Sequence, residues 1–356
     1  MPELSTYRGK RRADRTPEPV PPDGPLPAGN DDTFVIQEHH ARRLHWDFRL
    51  ERGGVLVSWA VPRGLPQDPK TNHLAVHTED HPMDYASFAG DIPAGEYGGG
   101  KVILWDRGTY ETEKWTDREV KVVLHGSRVS GRYVLFQTRD RDWMVHRMDP
   151  PADPSWEPLP ARVEPMFPVK RSRLPSGAGD WAVEFGWGGL RASGFVDGGI
   201  LRLAGIDEDD ITRRFPEVRP LGPELGSRGA VLDGELIALG RDQRPDTARL
   251  GRRAEAESDS VIRRLRRDEP VIFVLYDLLY LDGHTTAGLP YAERRGLLES
   301  LALDGPAWQT APAFPRDQAA AVREAARAQG LPSIVAKRLA AAYQPGRQPD
   351  WVAVPL

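Results

Sequence analysis

The feature that most constrains this chain is a dense series of short β-forming runs between residues 33 and 149. The runs include FVIQ, LHWDFRLE, VLVSWAV, KVILWD and GRYVLFQT, and Gly, Pro or Asp bounds them, as expected for strands joined by tight turns. No strong helical stripe lies between them. Many short strands in one stretch predict a barrel or a sandwich. The 33 prolines and 35 glycines of the chain also favour loops and short strands over long helices.

A change of pattern divides the rest of the chain, and the length of 356 residues favours more than one domain. Residues 1–30 are rich in Pro and charge and are predicted to form a flexible N-terminal arm. Residues 31–150 form the β-rich domain, and residues 151–164 read as a Pro-rich linker. Residues 165–356 alternate strand-like runs such as WAVEF with amphipathic helical runs such as RDQAAAVREAARAQG. We therefore expect a β-rich, barrel-like domain followed by an α+β domain.

Composition excludes several classes of function. The chain has no cysteine, which rules out disulfides and thiolate zinc sites. It has no apolar run long enough to cross a bilayer, and its N-terminus lacks the apolar core of a signal peptide, so we expect a cytoplasmic protein with no membrane partner. The net charge of −4 predicts that any nucleic-acid contact is made through a local basic patch.

The segment HHARRLHWDFR combines ionisable and apolar residues in strict alternation. Because side chains alternate across a strand, one face carries His45, Asp47, Arg49 and Glu51, and the other carries Trp46, Phe48 and Leu50. A second segment, HLAVHTEDH, places His73, His77, Glu79 and His81 in one register. Solvated strand faces would explain such a pattern without any chemistry. Two imidazoles and a carboxylate on one short segment, beside several arginines, favour a functional site instead.

A metal site is the sharper interpretation. His45 and Asp47 are two residues apart on a strand and can chelate one ion, while His39 or His40 can approach from the preceding bend. Nearby Arg49, together with Arg42, Arg43 and Arg63, indicates an anionic substrate such as a phosphate. Metal, arginine and a further histidine are the groups that phosphoester hydrolysis requires. The two-histidine, one-carboxylate triad of iron oxygenases is an alternative, although it does not call for the arginines.

Three long segments resemble the 3′-phosphoesterase domain of bacterial DNA ligase D. They are FVIQEHHARRLHWDFRLERGGVLVSWAVPRG, LAVHTEDHPMDYASFAGDIPAGEYGGGKVILWDRGTYE and GRYVLFQTRDRDWMVHRMD, and the leading YRGKRRADRTPEP resembles the arm of that family. The resemblance covers almost all of residues 7–150. It implies a small barrel-like domain that uses Mn²⁺ or another divalent metal. The implied activity removes a 3′-terminal ribonucleoside and then the 3′-phosphate, leaving a 3′-hydroxyl.

The resemblance also assigns roles to individual positions. It implies that His39, His45 and Asp47 bind the metal and that His81 and Arg49 are catalytic. It implies phosphate or substrate binding by Arg11, Gln37, Arg63, His73 and Tyr85, and support of the site by Glu18, Ser58 and Glu79. Three positions depart from the family: His73 stands where Arg is usual, Arg63 where Lys is frequent and Arg12 where Asp is usual. These departures predict a retained phosphodiesterase step and a weaker phosphomonoesterase step.

From about Glu164 onward, LDGELIAL, VLYDLLYLDG and IVAKRLAAAYQPGR resemble the nucleotidyltransferase domain of ATP-dependent DNA ligases of the ligase D type. In that family the lysine of a Lys-x-Asp-Gly motif attacks the α-phosphate of ATP. The matching stretch here, WAVEFGWGGLRA, places Gly186 at the lysine position and Gly188 at the aspartate position. Later motifs are altered by Pro332 and Ser333, and by Ala353 and Pro355. Arg191, Glu235, Asp277 and Lys337 persist.

These substitutions predict a degenerate ligase domain without bound ATP, and no OB-fold domain is expected after it. The leading hypothesis is a metal-dependent enzyme that heals DNA 3′ ends, including ends with a terminal ribonucleotide, during end joining. Ku or a separate active ligase are the expected partners, and the protein is expected to associate with the nucleoid. A non-catalytic DNA-repair scaffold and an active ATP-dependent DNA ligase are the alternatives.

Overall fold

The computed structural model describes residues 4–27, 29–177 and 180–356. The chain divides into two compact units, Met1–Trp156 and Glu157–Leu356. The division falls inside the stretch expected to be a Pro-rich linker, and the domain boundaries given above remain predictions. In the part of the chain that the structure describes, no helix has the length and apolar character needed to span a bilayer.

The first unit is built around a closed β-barrel. Its strands are β1 (Thr33–His40), β2 (Leu44–Arg52), β3 (Val55–Val61), β4 (Asn72–His77), β5 (His81–Pro82), β6 (Gly90–Ile92), β7 (Gly100–Trp115), β8 (Glu119–Gly126), β9 (Ser130–Arg139) and β10 (Asp142–Arg147). The order β1-β2-β3-β4-β10-β9-β8-β7 closes because β7 also pairs with β1. The short β5 pairs with β3, and β6 pairs with β7. The expectation of a barrel-like first domain is confirmed.

The alternation in β2 is present in the structure, but both of its faces are buried. Trp46, Phe48 and Leu50 join the apolar core of the barrel. On the other face, Asp47 and Arg49 are also buried, at 7% and 2% exposure. The interpretation of this strand as a solvated polar face is therefore wrong. A buried polar face requires partners that neutralise and hydrogen-bond it.

The partners come largely from the N-terminal segment. It contains a short helix, α1 (Ser5–Gly9), and its residues Leu4 and Tyr7 pack in an apolar cluster with Val35, Leu56 and Tyr85. We expected residues 1–30 to be a flexible arm, whereas the described residues 4–27 include this anchored segment. The physical reason is that Tyr7 and Leu4 bury apolar surface that the short helix could not bury alone. A 3₁₀ helix, Met83–Ser87, packs on the same side through Tyr85.

The second unit is α+β, as expected. Its strands are β11 (Met166–Lys170), β12 (Trp181–Gly186), β13 (Leu190–Asp197), β14 (Ile200–Ala204), β15 (Ala230–Ala238), β16 (Val271–Leu281), β17 (His284–Thr285), β18 (Asp304–Gly305), β19 (Trp308–Thr310), β20 (Ala313–Pro315), β21 (Ser333–Arg338) and β22 (Gly346–Pro355). Its helices are α2 (Leu221–Glu224), α3 (Thr247–Ala254), α4 (Asp259–Asp268), α5 (Tyr291–Ser300) and α6 (Ala319–Ala328), with 3₁₀ turns at Thr212–Arg214 and Arg316–Gln318.

These strands form two sheets. One has the order β11-β22-β21-β12-β20, and the other has the order β14-β13-β15-β16-β19-β18, with β17 paired to β16. Residues of both sheets, including Met166, Tyr276 and Trp351, meet in one apolar cluster. The motifs that resemble a nucleotidyltransferase lie on β12, β15, β16, β21 and β22, so the fold brings them to the layer between the two sheets.

Candidate active site

Three side chains of metal-ligating type meet next to the turn of the β1–β2 hairpin. His39 and His45 are directly opposite each other in the antiparallel register, and Asp47 follows two residues later on the same face. One ligand atom from each of the three lies within 4.8 Å of the others. His39 Nδ1 is 3.5 Å from Asp47 Oδ2, and His45 Nε2 is 3.7 Å from Asp47 Oδ1. This geometry forms a candidate site for a divalent metal ion.

Backbone carbonyls fix which nitrogen of each histidine faces the cluster. His39 Nε2 donates to the carbonyl of Gly98 at 2.8 Å, and His45 Nδ1 donates to the carbonyl of Arg43 at 3.0 Å. The opposite nitrogens, His39 Nδ1 and His45 Nε2, therefore carry lone pairs. Those nitrogens are the two that face Asp47. Metal-binding histidines in proteins are held by this type of second hydrogen bond, so the donor set fits a metal without rearrangement of either ring.

Asp47 is held in its ionised form although it is buried. Burial by itself would raise the pKa of this carboxyl group, but the Arg49 guanidinium and the two imidazoles lower it well below its usual range. Arg49 Nη2 lies 3.0 Å from Asp47 Oδ2. A carboxylate that stays charged at low pH is a competent metal ligand, because a metal ion requires the deprotonated group.

Arg49 is fixed in the middle of the polar face. Its Nε donates to Gln37 Oε1 at 2.8 Å and its Nη1 donates to Ser58 Oγ at 2.8 Å. The guanidinium also lies 4.8 Å from the centroid of the Tyr85 ring. Gln37 in turn donates from Nε2 to the carbonyls of Tyr85 and Phe88. These contacts hold a buried cation beside the metal cluster, where it can contact an anionic substrate.

His81 lies in the same layer and is neutral. Its Nδ1 donates to the carbonyl of Glu79 at 2.8 Å, so its Nε2 is the unprotonated nitrogen and accepts from Arg11 Nη2 at 3.3 Å. Burial, with the guanidinium groups of Arg49 and Arg11, lowers the pKa of His81 well below its usual value. A neutral imidazole with an unprotonated Nε2 can accept a proton or a hydrogen bond.

The N-terminal segment completes the site through Arg11. The Arg11 side chain is almost fully buried and pairs with Glu18 at 2.8 Å and Glu79 at 3.1 Å. Glu18 also accepts from the Tyr85 hydroxyl at 3.0 Å. The Arg11–Glu79 ion pair and the Tyr85–Glu18 hydrogen bond join the segment to residues 68 and 67 positions away, which explains why a segment rich in charge and proline packs on the barrel. The structure therefore brings together the following candidates: His39, His45, Asp47, Arg49, Gln37, Ser58, His81, Glu79, Arg11, Glu18 and Tyr85.

Some candidates lie outside this connected set. His73, on β4, donates from Nδ1 to the carbonyl of Gly64 at 2.7 Å, and Arg63 is exposed after the end of β3. Neither is joined to the metal cluster by the hydrogen bonds and ion pairs described above. His40 pairs with Glu38 at 2.7 Å instead of facing Asp47. The proposed roles of His73 and Arg63 in phosphate binding therefore rest on the sequence alone.

Sequence reasoning missed several residues of the site. Tyr7 has its ring 5.0 Å from that of His81, and Lys10 bridges Glu79 at 2.9 Å and the Tyr97 hydroxyl at 3.0 Å. Thr16 donates to Glu18 at 2.7 Å. The aromatic and basic residues of YRGKR were a usable signal, but the partner of each one could not be read from the chain. The carbonyl of Gly98 carries no sequence signal at all.

In the second unit, Gly186 and Gly188 lie where neighbouring side chains occupy the space. Gly186 is opposite Ser333 in the β12–β21 register, and a Cβ atom placed on it would lie 2.1 Å from Ser333 Oγ. Gly188 has a positive φ of 67°, and a Cβ there would lie 2.8 Å from Pro332 Cγ. Pro332 and Ser333, which alter the later ligase motif, therefore lie against Gly188 and Gly186, which alter the Lys-x-Asp-Gly motif.

The charged residues that persist are paired with one another. Lys337 Nζ lies 3.0 Å from Glu184 Oε2 and 4.2 Å from the centroid of the Tyr276 ring. Burial lowers the pKa of Lys337, and Glu184 opposes that shift. Arg191 forms a two-pronged ion pair with Asp233, at 2.7 and 2.5 Å.

Two further carboxylates of this domain are also engaged. Asp277 accepts two hydrogen bonds from Arg294, at 2.7 and 2.8 Å. Glu235 accepts the backbone N–H of Gly189 at 2.8 Å, and burial raises its pKa.

Comparisons with known proteins agree with this division. A family model described as "DNA Ligase D 3'-phosphoesterase domain" matches residues 37–137, and one described as "ATP dependent DNA ligase domain" matches residues 169–354. The Mycobacterium bovis protein "Multifunctional non-homologous end joining protein LigD" is 44% identical over 98% of this chain and 44% of its own length. The Pseudomonas aeruginosa protein of the same name is 33% identical over 98% of this chain and 46% of its own length.

The chain thus spans less than half the length of these relatives. A solved structure described as "mycobacterial DNA ligase D complexed with ATP and MES" is 31% identical, with a TM-score of 0.46, over 55% of this chain and 60% of that one.

Proposed function

Because this chain belongs to the family of DNA ligase D proteins, with a 3′-phosphoesterase domain followed by an ATP-dependent ligase domain, we propose that it is a metal-dependent phosphoesterase that heals DNA 3′ ends. In this proposal it removes a terminal 3′-ribonucleoside by hydrolysis and then the 3′-phosphate. The ligase-like domain does not form an adenylate. The setting is end joining, with Ku or a separate active ligase as partner, and the compartment is the bacterial cytoplasm.

The observation that carries the proposal is the set of free ligand atoms in the first unit. His39 Nδ1, His45 Nε2 and a charged Asp47 face one another, and two carbonyl hydrogen bonds hold the rings in that orientation. Imidazole nitrogen and carboxylate oxygen suit Mn²⁺ among divalent metals, so we propose Mn²⁺ as the resident ion. When bound, it would supply Lewis-acid stabilisation of the negative charge that develops on phosphate oxygens.

Arg49, His81 and Arg11 have the other roles in the proposed reaction. Arg49 is a buried cation 3.0 Å from the metal-binding Asp47, and it would contact a phosphate oxygen beside the ion. His81 has an unprotonated Nε2 in the same layer, which accepts from Arg11 at 3.3 Å and which can take a proton from the attacking water and return it to the departing oxygen. Water adds its oxygen to phosphorus, the P–O bond to the nucleoside breaks, and the nucleoside leaves with the proton. Arg11 holds His81 and would share the phosphate charge.

The substrate-binding roles of Gln37, Tyr85, Arg63 and His73 are proposed from the family. Gln37 and Tyr85 border Arg49. Because His73 stands where the family usually has Arg and Arg12 where it usually has Asp, we propose that the diester step is retained and that the monoester step, which exposes a more highly charged phosphate, is the slower one. Glu18, Ser58 and Glu79 act as supports that hold Arg11, Arg49 and His81.

The proposal of an inactive ligase domain is supported by Gly186. Glycine has no amine to attack ATP, and the nearest buried lysine of this domain, Lys337, is ion-paired to Glu184. Pro332 and Ser333 fill the space that side chains at Gly188 and Gly186 would need. Incubation of the full chain with α-labelled ATP and Mg²⁺ or Mn²⁺ should leave no covalent AMP on the protein. A stable adduct that resists denaturation would overturn this part of the proposal.

The phosphoesterase is tested with a duplex primer that ends in one 3′-ribonucleotide, incubated with the full chain and Mn²⁺. We expect a product shorter by one nucleoside that carries a 3′-phosphate, followed by slower appearance of the 3′-hydroxyl. His81→Ala should abolish product formation while Mn²⁺ still binds. No product from the wild type, with primer binding intact, would instead favour the non-catalytic scaffold. Loss of Mn²⁺ binding in His81→Ala would reassign His81 as a ligand.

A further inference from the structure

One aromatic side chain differs from all the others in its exposure. Among the described residues, Tyr97 is the only Phe, Tyr or Trp that is exposed, at 48%, whereas the rest are buried or half-buried. It lies in the loop between β6 and β7, residues 93–99. A single exposed aromatic ring indicates a binding role only when it lies next to a functional site. Tyr97 lies at the rim of the candidate metal site.

Two contacts locate Tyr97 at that rim. The next residue, Gly98, supplies the carbonyl that holds His39, at 2.8 Å. On the other side, Lys10 Nζ lies 4.4 Å from the centroid of the Tyr97 ring, and the Arg11 guanidinium lies 5.4 Å from it. Arg11 also reaches His81. The exposed ring is therefore adjacent both to the metal cluster and to the histidine proposed to act on the phosphate.

We propose that Tyr97 stacks on the base of the terminal 3′-nucleoside and so holds the leaving nucleoside over the metal site. This inference rests on the proposed phosphoesterase function and specifies how its substrate is held. Every base has a π-face, so stacking binds a nucleoside without sequence preference. An enzyme that acts on any DNA end needs that tolerance. The neighbouring Lys10 ammonium adds a positive charge where the flanking phosphate would pass.

The test compares two substituted proteins on two primers. Tyr97→Phe keeps the ring but loses the hydroxyl contact to Lys10, and Tyr97→Ala loses both. One primer ends in a ribonucleoside, and the other ends in an abasic ribose at the same position. For the base-bearing primer, stacking predicts that Tyr97→Ala raises KM by about 5- to 150-fold, with kcat little changed, while Tyr97→Phe stays near wild type. For the abasic primer, Tyr97→Ala should have little effect.

An equal loss on both primers would overturn the proposal, because it would show that Tyr97 acts by holding the N-terminal segment. A loss in Tyr97→Phe as large as that in Tyr97→Ala would overturn it in the same way. If the wild type hydrolyses neither primer, the proposed function fails. In that case, equilibrium fluorescence anisotropy of primer binding tests the stacking. Stacking predicts that Tyr97→Ala weakens binding of the base-bearing primer more than binding of the abasic primer.

A second and independent observation concerns helix α4 in the ligase-like domain. Its apolar residues Ile262 and Leu265 are buried, and the arginines at positions 263, 264, 266 and 267 are exposed. With 100° between successive residues, Arg263, Arg264 and Arg267 project away from the core, and Arg266 lies at the flank of the buried stripe. The overall net charge of the chain is −4, so this face is a local exception.

The carboxylates at the two ends of α4 are already paired. Asp259 binds Arg213 at 2.9 Å, Asp268 binds Arg267 at 3.1 Å, and Glu269 binds Arg252 at 2.5 Å. By contrast, in the described part of the chain no hydrogen bond or ion pair involves the side chains of Arg263, Arg264 or Arg266. An ordinary solvated helix face mixes both signs of charge and pairs them at i, i+4 spacing. Three unpaired arginines on one turn instead form a cationic surface.

We infer that this face of α4 binds the phosphate backbone of DNA. Guanidinium groups match phosphate oxygens, and a local positive surface attracts a polyanion despite the negative net charge of the protein. The occupant is DNA backbone in any sequence, because contacts of guanidinium groups with phosphate oxygens carry no sequence information directly. A DNA-docking role gives the ligase-like domain a use that does not depend on adenylate formation.

Binding of the full chain to duplex DNA is measured by anisotropy over a range of salt concentrations. Substitution of Arg263, Arg264 and Arg266 by Ala should reduce the slope of log K against log salt by roughly 2.7, since each phosphate contact contributes about 0.9. The matched control removes three paired cations from the barrel, Lys114, Arg132 and Arg139, and should leave the slope unchanged. Equal slopes for wild type and the α4 variant would overturn the inference, as would an equal fall in the control.

Discussion

At the scale of single residues, two backbone carbonyls set the chemistry of the candidate metal site. The carbonyls of Gly98 and Arg43 each take the N–H of one histidine, so both rings present a lone pair to the same carboxylate. Asp47 completes the set with a charge that Arg49 stabilises. Binding a metal here requires no change of tautomer and little motion, which lowers the cost of ordering the ligands.

A substitution at His45 tests this directly. His45→Ala removes one of three protein ligands, so we expect affinity for Mn²⁺ to fall by at least about tenfold in isothermal titration calorimetry. The matched control is His40→Ala. His40 is the neighbouring histidine of the same hairpin, but it pairs with Glu38 and should not be needed for metal binding. Equal losses in the two variants would show that the hairpin as a whole, rather than the three named ligands, determines affinity.

Asp80 connects the site to the pH dependence of stability. Burial, with the neighbouring Glu79 carboxylate, raises the pKa of Asp80 to about 6. The folded chain then binds this proton more tightly than the unfolded chain does. The free energy of unfolding contributed by Asp80 therefore falls as pH rises through the window from about 4 to 6. The loss is roughly 1 kcal/mol, after discounting for partial exposure.

Asp80→Asn should remove this dependence, because the amide is neutral at every pH. We expect it to be more stable than the wild type above pH 6 and about equal at pH 4, in urea unfolding followed by fluorescence. Asp84→Asn, at an exposed position four residues later, is the control. A stability difference for Asp80→Asn that stays constant from pH 4 to 8 would contradict the assignment.

At the scale of elements, the N-terminal segment and the polar face of β2 stabilise each other. The segment buries Tyr7 and supplies Arg11, and the barrel supplies Glu79 and Tyr85. Each side carries charged groups, and burying those groups without partners would cost free energy. The segment and the barrel can therefore bury them only by pairing with each other. The segment is therefore part of the site and not a tether that precedes it.

Glu18 is the residue on which this docking depends. Glu18→Ala leaves the Tyr85 hydroxyl without its buried acceptor and leaves the Arg11 guanidinium with Glu79 as its one remaining carboxylate among the described contacts, a loss of about 1–3 kcal/mol of docking free energy. We expect faster proteolysis within residues 4–27 and loss of phosphoesterase activity, while Mn²⁺ still binds. Arg12→Ala is the matched control, because Arg12 is exposed and pairs only with nearby Asp14. Slow proteolysis and full activity in Glu18→Ala would contradict the dependence.

The pairing of β12 with β21 makes a second prediction. Gly186→Lys alone should not restore adenylate formation, because its Cβ would lie 2.1 Å from Ser333 Oγ and force the strands apart. Overpacking of this kind costs about 1–3 kcal/mol, which thermal unfolding would detect. Adding Ser333→Gly should recover most of that stability. Full stability of Gly186→Lys with Ser333 present would show that the strand pair tolerates the side chain.

The sequence was informative about elements and less so about their partners. The alternation in HWDFRLE correctly placed Asp47 and Arg49 on one face, because that pattern depends only on strand geometry. The burial of that face could not be predicted, since it depends on ion pairs such as Arg11–Glu79 between residues far apart in the chain. The hydrogen bond from His39 to the carbonyl of Gly98 could not be predicted either, because every residue has a backbone carbonyl and the sequence does not show which one accepts. The Lys337–Glu184 pair required the register of β12 and β21.

At the scale of the whole molecule, the chain joins two units whose polar centres are satisfied in different ways. In the barrel, the candidate metal site leaves ligand nitrogens free to bind an ion. In the ligase-like domain, Lys337, Arg191 and Asp277 are each matched with an opposite charge from the protein itself. A metal ion should therefore stabilise only the first unit.

Metal removal from the full chain tests this difference. With free Mn²⁺ at 100 times its dissociation constant, binding adds about 2.7 kcal/mol to the free energy of unfolding of the barrel, or a few degrees in Tm. Calorimetry should show two transitions, and a chelator should lower one of them without moving the other. His45→Ala, which binds Mn²⁺ more weakly, should show a smaller difference with and without chelator, and this variant identifies the metal-sensitive transition as that of the barrel. If both transitions moved together with Mn²⁺, the ligase-like domain would also bind the ion, and its internal charge pairs would not be sufficient to exclude it.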